Sequence, residues 1–194
     1  TIGQICNIII ILSYLLICNH SLGLCLASME ATIHELRRDL RHRFDASGHE
    51  KPLIATTVRL TFHDCGGPHE PGDDGHGPSI CNGCVNLDNP DNYGLHVAVE
   101  AMEEVYRYYD HVMSRADFYT AAGTIALEYA QEMDSDCDDE LPEIPFYFGR
   151  KDCYSAPYGK GHKSFPKALR GWDESYGWFR DNFNLNQQET IALF

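Results

Sequence analysis

A chain of 194 residues with 29 acidic and 15 basic side chains has a net charge of −14, and its 43% hydrophobic content is enough for one core of ordinary size. That charge excludes nucleic acid and anionic membrane surfaces as natural partners, and favours neutral or cationic small molecules only weakly. Eight cysteines direct attention to disulfides or metal sites.

Residues 1–27 contain no charged side chain, and residues 5–18 are apolar except for Asn7 and Ser13. With the small residues Ser21, Gly23, Ala27 and Ser28 following, this reads as a signal-peptide core, short for a membrane span. The expectation is a secreted protein, free of the membrane once the signal is removed, with one domain over residues 28–194. The first residue is Thr, so an incomplete reading frame is expected.

Ile33, Leu36, Leu40 and Phe44 then recur at helical spacing, with Thr32 and Glu35 as a capping box and an end near Ser47-Gly48. Lys51-Pro52 opens a second helix carrying Leu53, Ile54 and Val58. Arg59 and His63, four residues apart, share its face. A neutral imidazole can carry a proton between neighbouring atoms, and a guanidinium beside it can hold developing negative charge. Heterolysis of a peroxide O–O bond needs both.

Residues 66–91 are rich in Gly, Pro, Asp and Asn, without apolar period, and read as a functional loop. Leu95, Val99, Met102, Val105, Tyr106 and Tyr109 mark a third helix, with Asn92 as a candidate cap ahead of it. Ser114 to Asp117 is a capping box for a fourth, more buried helix through Phe118, Ala122, Ile125 and Tyr129. The acidic run from Glu132 to Glu140 fails the EF-hand pattern, because Asp139 replaces the required Gly; it is a solvated loop. Trp172, Tyr176, Phe179 and Phe183 predict a fifth helix with that stripe in the core. Asn186 to Glu189 caps a sixth.

The octet Val58-Arg59-Leu60-Thr61-Phe62-His63-Asp64-Cys65 resembles the distal motif of the plant, fungal and bacterial haem peroxidase superfamily. Three further segments follow in family order: Asn92 to Leu95, Ser114 to Leu127, and Gly149-Arg150-Lys151-Asp152. The resemblance implies a mostly α fold, a distal lobe plus the start of the proximal lobe, with disulfide-tied loops. It implies haem b as cofactor, and hydrogen peroxide and a small reducing donor as substrates. Arg59 and His63 would be catalytic, with Asn92 accepting the proton on His63 Nδ1. Phe62, Pro145, Gly149 and Arg150 would contact the haem or its edge. Asp64 matches the family's first calcium ligand, whereas Asn82 stands where a carboxylate is expected, so the calcium site is depleted. The proximal His of the family would follow Phe194 and is not in this chain.

In an exported chain, Cys6 and Cys18 leave with the signal and Cys25 is kept or lost with the cleavage site; Cys65 is then expected to pair with Cys81 or Cys84, and Cys137 with Cys153, the odd number among Cys65, Cys81, Cys84, Cys137 and Cys153 leaving a mate elsewhere. Two other readings compete. Cys81 and Cys84, with His63, Cys65, His69 and His76, have the ligand types of a zinc knuckle. A peroxidase-like protein without catalysis would serve binding or matrix structure.

Overall fold

The computed structural model describes residues 28–47, 53–65, 81–133, 144–153 and 171–191. They are mostly helical, with no strand among the described residues. Helix α1 covers 28–46, α2 is Leu53–Cys65, α3 His96–Tyr106, α4 Arg115–Met133, α5 Trp172–Phe183 and α6 Gln187–Ile191, with a 3-10 turn at Pro90–Asn92 before α3. Residues 1–27, the Lys51-Pro52 opening, the 66–80 part of the long loop and Cys137 lie outside the described residues. No described helix is long and apolar enough to cross a membrane.

Helix α2 lies against α4, and α3 packs on both. Leu36 and Leu40 of α1, Leu60 of α2, Met102 of α3 and Phe118 of α4 are fully buried in one core. Each such side chain contributes about 2 kcal/mol of apolar burial. The tightest approach is at Gly123, where a Cβ would stand 2.3 Å from Thr61 Oγ1. Thr61 Oγ1 also donates to the Tyr119 carbonyl across the same interface, at 2.6 Å. Only glycine at position 123 lets α2 approach α4 this closely, and that approach sets the depth at which α2 carries its outer face.

Helix α1 is tied on by ion pairs from Arg37 and Arg41 to Glu128 and Glu132 of α4, and from Arg43 to Glu104 of α3. Its start differs from expectation. Thr32 is already inside the helix, its hydroxyl donating to the Ser28 carbonyl one turn back, so it is not the cap.

The capping of α4 and the phase of α5 also depend on longer-range partners. Ser114 Oγ accepts from the Asp117 amide as a capping box requires, but the Asp117 carboxylate does not reach back. It binds the amides of Gly149 and Arg150, at 2.8 and 3.2 Å. The α4 terminus is capped in addition by Asp152, whose carboxylate accepts from the amides of Arg115 and Ala116. On α5 the buried face is Ser175, Trp178 and Phe179, while Trp172 and Phe183 are exposed. The stripe expected in the core is therefore half outside, because Trp178 and Phe179 rather than Trp172 and Tyr176 set the helix's phase. At α6 the box is reciprocal as read, Asn186 N to Glu189 Oε2 at 2.8 Å and Glu189 N to Asn186 Oδ1 at 3.0 Å, although the helix starts at Gln187.

Candidate active site

Arg59 and His63 stand one turn apart on a face of α2 beside the Leu60 side that enters the core, and both are half-buried. The turn before α3 meets them there. Arg59 Nη1 donates to the Tyr93 carbonyl at 2.9 Å and Nη2 to the Asp91 carbonyl at 2.8 Å. A guanidinium has five N–H groups, so these two bonds orient it without exhausting it. Gly94 follows at φ +85°, a conformation that turns the chain sharply into α3 and suits glycine.

His63 Nδ1 lies 2.7 Å from Asn92 Oδ1. The other end of that amide, Nδ2, donates to the Asn86 carbonyl at 2.7 Å. A carbonyl can only accept, so this bond fixes which way the amide faces. Oδ1 therefore faces the imidazole, Nδ1 carries the ring proton, and Nε2 is the acceptor nitrogen. Burial lowers the His63 pKa most; the Asn92 bond raises it, Arg59 lowers it and Asp91 raises it, leaving it below the ordinary 6.5. The ring is thus neutral at pH 7. The expectation that Asn92 caps α3 gives way here: its side chain is committed to His63 and Asn86, and α3 begins after Leu95 without a side-chain cap.

Phe62 presents a ring that is 38% exposed. The His63 ring is 6.0 Å away, and Trp178 and Phe179 of α5 are at 6.3 and 6.5 Å. Trp178 was not singled out in the sequence. Aromatic walls beside an imidazole acceptor and a guanidinium suit one face of a flat apolar group such as haem. On that face the described residues fit.

Asp64 faces the other way. It is 8% exposed, and its Oδ2 accepts from the Gly83 amide at 3.0 Å, while Oδ1 is buried without a hydrogen-bond partner. Burial pushes its pKa up to about 6 against the pull of the Gly83, Cys84 and Asn82 amides, and Asp152 adds to the rise. Asn82 Oδ1 accepts from the Cys84 amide at 3.1 Å in a local turn. Both expected calcium ligands are thus engaged with backbone, and no group of three or more metal-ligating side chains occurs among the described residues. A Cβ on Gly83, at φ +73°, would stand 2.8 Å from Ala116 N, so the loop rests directly on the α4 terminus.

The disulfides are Cys65–Cys81 and Cys84–Cys153. The first is one of the two pairings left open for Cys65. The second replaces the expected Cys137–Cys153 pair, because Cys153 N also bonds the Asn82 carbonyl, at 2.9 Å, and so runs beside Cys84. With Cys81 and Cys84 both oxidised, the zinc knuckle loses its thiolates; His69 and His76 lie outside the described residues.

The segment from Pro145 to Arg150 was expected at a haem edge. Pro145 is exposed, and the contacts of Gly149 and Arg150 run to Asp117 on α4, Arg150 Nη1 to Asp117 Oδ1 at 2.9 Å. These two residues are joined to α4, not to the Arg59–His63 face. Asn86 and Asn89, to which the sequence assigns no role, carry contacts of the turn before α3. Their signal was the repeat of Asn at 86, 89 and 92, with Pro90 after Asn89 as at a helix start.

Residues 36–194 match a protein-family model described as peroxidase. The chain is 27% identical over 165 residues to "L-ascorbate peroxidase 1, cytosolic" of Oryza sativa subsp. indica, covering 85% of this chain and 61% of that protein. It is 29% identical over 147 residues to "L-ascorbate peroxidase 2, cytosolic" of Arabidopsis thaliana, covering 74% and 52%. It is 34% identical over 128 residues to "L-ascorbate peroxidase 5, peroxisomal" of the same plant, covering 66% and 41%. The chain therefore spans about half the length of these relatives. Their names overturn the expectation of a secreted protein, since they are cytosolic or peroxisomal. An apolar run of the right length meets the physical requirement of a signal core, but hydrophobicity does not by itself name the compartment in which a domain works.

Proposed function

This chain belongs to the peroxidase family, and on that premise we propose that the full-length protein reduces hydrogen peroxide with one-electron oxidation of a small donor, residues 28–194 being part of its haem-binding domain. The observation that carries this reading is the His63–Asn92–Asn86 relay, which makes Nε2 the basic nitrogen of a ring that is neutral at pH 7.

His63 Nε2 takes a proton from one peroxide oxygen and returns it to the other, which leaves as water. Arg59 holds the negative charge that gathers on the departing oxygen, its position set by the Asp91 and Tyr93 carbonyls. Asn92 Oδ1 keeps the ring turned and its Nδ1 protonated throughout, so the base is regenerated in one geometry. Phe62, with Trp178 and Phe179 behind it, supplies an apolar surface that excludes water beside the reacting groups. A haem b held against Phe62 would supply the two electrons for O–O cleavage, the donor restoring them one at a time. The relatives' names make ascorbate the first donor to test.

Replacing His63 by Ala tests the proposal in the full-length protein. A positioned general base contributes about 10²- to 10⁴-fold, so the rate constant for reaction with hydrogen peroxide should fall by about 10³-fold. Survival of that rate within tenfold would remove His63 from the reaction.

A further inference from the structure

Three acceptors on the reactive face come from three consecutive residues: the Asp91 carbonyl, Asn92 Oδ1 and the Tyr93 carbonyl. The first two belong to the 3-10 turn Pro90–Asn92, and Tyr93 is its C-cap. So short a turn has little to hold it. Its backbone bonds are Asn92 N to Asn89 O at 2.9 Å, Tyr93 N to Pro90 O at 3.2 Å and Leu95 N to Asn92 O at 3.0 Å. Pro90 fixes its own φ but not the ψ that follows. What closes the turn is Asn89: its backbone is extended at φ −71°, ψ 126°, and its Oδ1 accepts from the Asp91 amide at 2.9 Å. Asn89 N in turn donates to the Asn86 carbonyl at 3.2 Å, the same carbonyl that fixes the Asn92 amide. The Asn89 side chain touches neither Arg59 nor His63 in any of these bonds, yet it governs the peptide units that hold both.

We infer that Asn89 is a positioning residue for both reacting side chains: by capping the Pro90–Asn92 turn it sets, in one rigid unit, the Nδ1 proton of His63 and the direction of the Arg59 guanidinium. The inference rests on the peroxidase reading for its effect on rate, and not for its effect on the ring. Loss of the Asn89 oxygen leaves the Asp91 amide without its acceptor, and the three acceptors shift together. A cap that served stability alone would lower the melting temperature and leave the imidazole unchanged.

The test compares Asn89→Ala, Asn89→Asp and Asn89→Gln in the full-length protein, by ¹⁵N NMR of the His63 ring and by the rate of reaction with hydrogen peroxide. Asp keeps the capping oxygen at the same reach, whereas Gln places it one methylene too far. Expected for Ala and for Gln is a mixture of ring tautomers in place of the single Nδ1–H form, with a rate about tenfold lower. Asn89→Asp should keep the single tautomer and a rate within about twofold. Should Asn89→Ala not fold, Asn89→Gln carries the comparison. An unchanged tautomer in Asn89→Ala or Asn89→Gln would overturn the inference, as would an Asn89→Asp protein with the same defect as the other two. A tautomer shift in a protein whose His63→Ala variant still reacts with peroxide would uphold the positioning role and remove the peroxidase one.

Discussion

The two faces of α2 are held by different physics. Towards α4, Leu60 and Thr57 are fully buried, Thr61 bonds the Tyr119 carbonyl, and Gly123 admits the helix with no room for a methyl group. Towards the turn at residues 86–94, Arg59 and His63 are half-buried and oriented by hydrogen bonds to two carbonyls and one amide. The packed face decides where the helix lies; the bonded face decides what its side chains can do. Damage to the first should appear as lost stability, damage to the second as lost reactivity in a folded protein.

The largest stability effect that could break this division is Gly123→Ala. Its Cβ would stand 2.3 to 2.8 Å from three atoms of Thr61, so overpacking should cost about 2–3 kcal/mol in chemical denaturation. Adding Thr61→Ala should recover part of it, since two of the three clashing atoms go. A neutral Gly123→Ala would mean slack between α2 and α4, and the packed face would no longer define the helix position.

An effect of the opposite sign and at most similar size is expected at Asp64, which is buried and faces away from the Arg59–His63 pair. Between pH 3.8 and about 6 its carboxyl keeps a proton in the folded protein that the unfolded chain has released. More protons bound when folded means that stability falls as pH rises through that window. Asp64→Asn keeps an oxygen for the Gly83 amide and removes the buried charge. At pH 7.5 it should be more stable by at most about 3 kcal/mol, the equivalent of the shift, with the dependence between pH 4 and 6 reduced. Destabilisation at pH 7.5 would show that the charge is paired more strongly than burial penalises it.

The smallest effect sharpens the bonded face. Because burial holds His63 below 6.5, the rate with peroxide should be flat through neutrality and fall about tenfold per pH unit once the ring becomes a cation in acid. A rate already falling at pH 7 would contradict the buried, neutral imidazole.

Much of this was legible in the sequence where the causes are local. The spacing of Leu36 and Leu40, of Val99 and Met102, and of Ala122 and Ile125 belongs to single helices, and the Asn186–Glu189 box closes within one turn. Arg59 and His63 were legible because a helix sets their separation. The misreadings share a different cause. Asp117 has the right spacing for a reciprocal cap, but amides 32 and 33 residues away compete for its carboxylate. Cys153 pairs with Cys84 where a backbone bond from Cys153 N to the Asn82 carbonyl brings the two segments together, which no spacing records. On α5, hydrophobicity marks Trp172 and Trp178 alike, and only the position of Phe62 on another helix decides which is covered.

The acceptors that hold Arg59 are main-chain oxygens, and this has a consequence for mutability. The Tyr93 side chain is 86% exposed, yet its peptide carbonyl is one of the two atoms fixing the guanidinium. Position 93 can therefore change its side chain while the anchoring oxygen stays where it is, so it is suited to a spectroscopic or fluorescent amino acid. A reporter placed there would sit beside the reacting groups without replacing any of them.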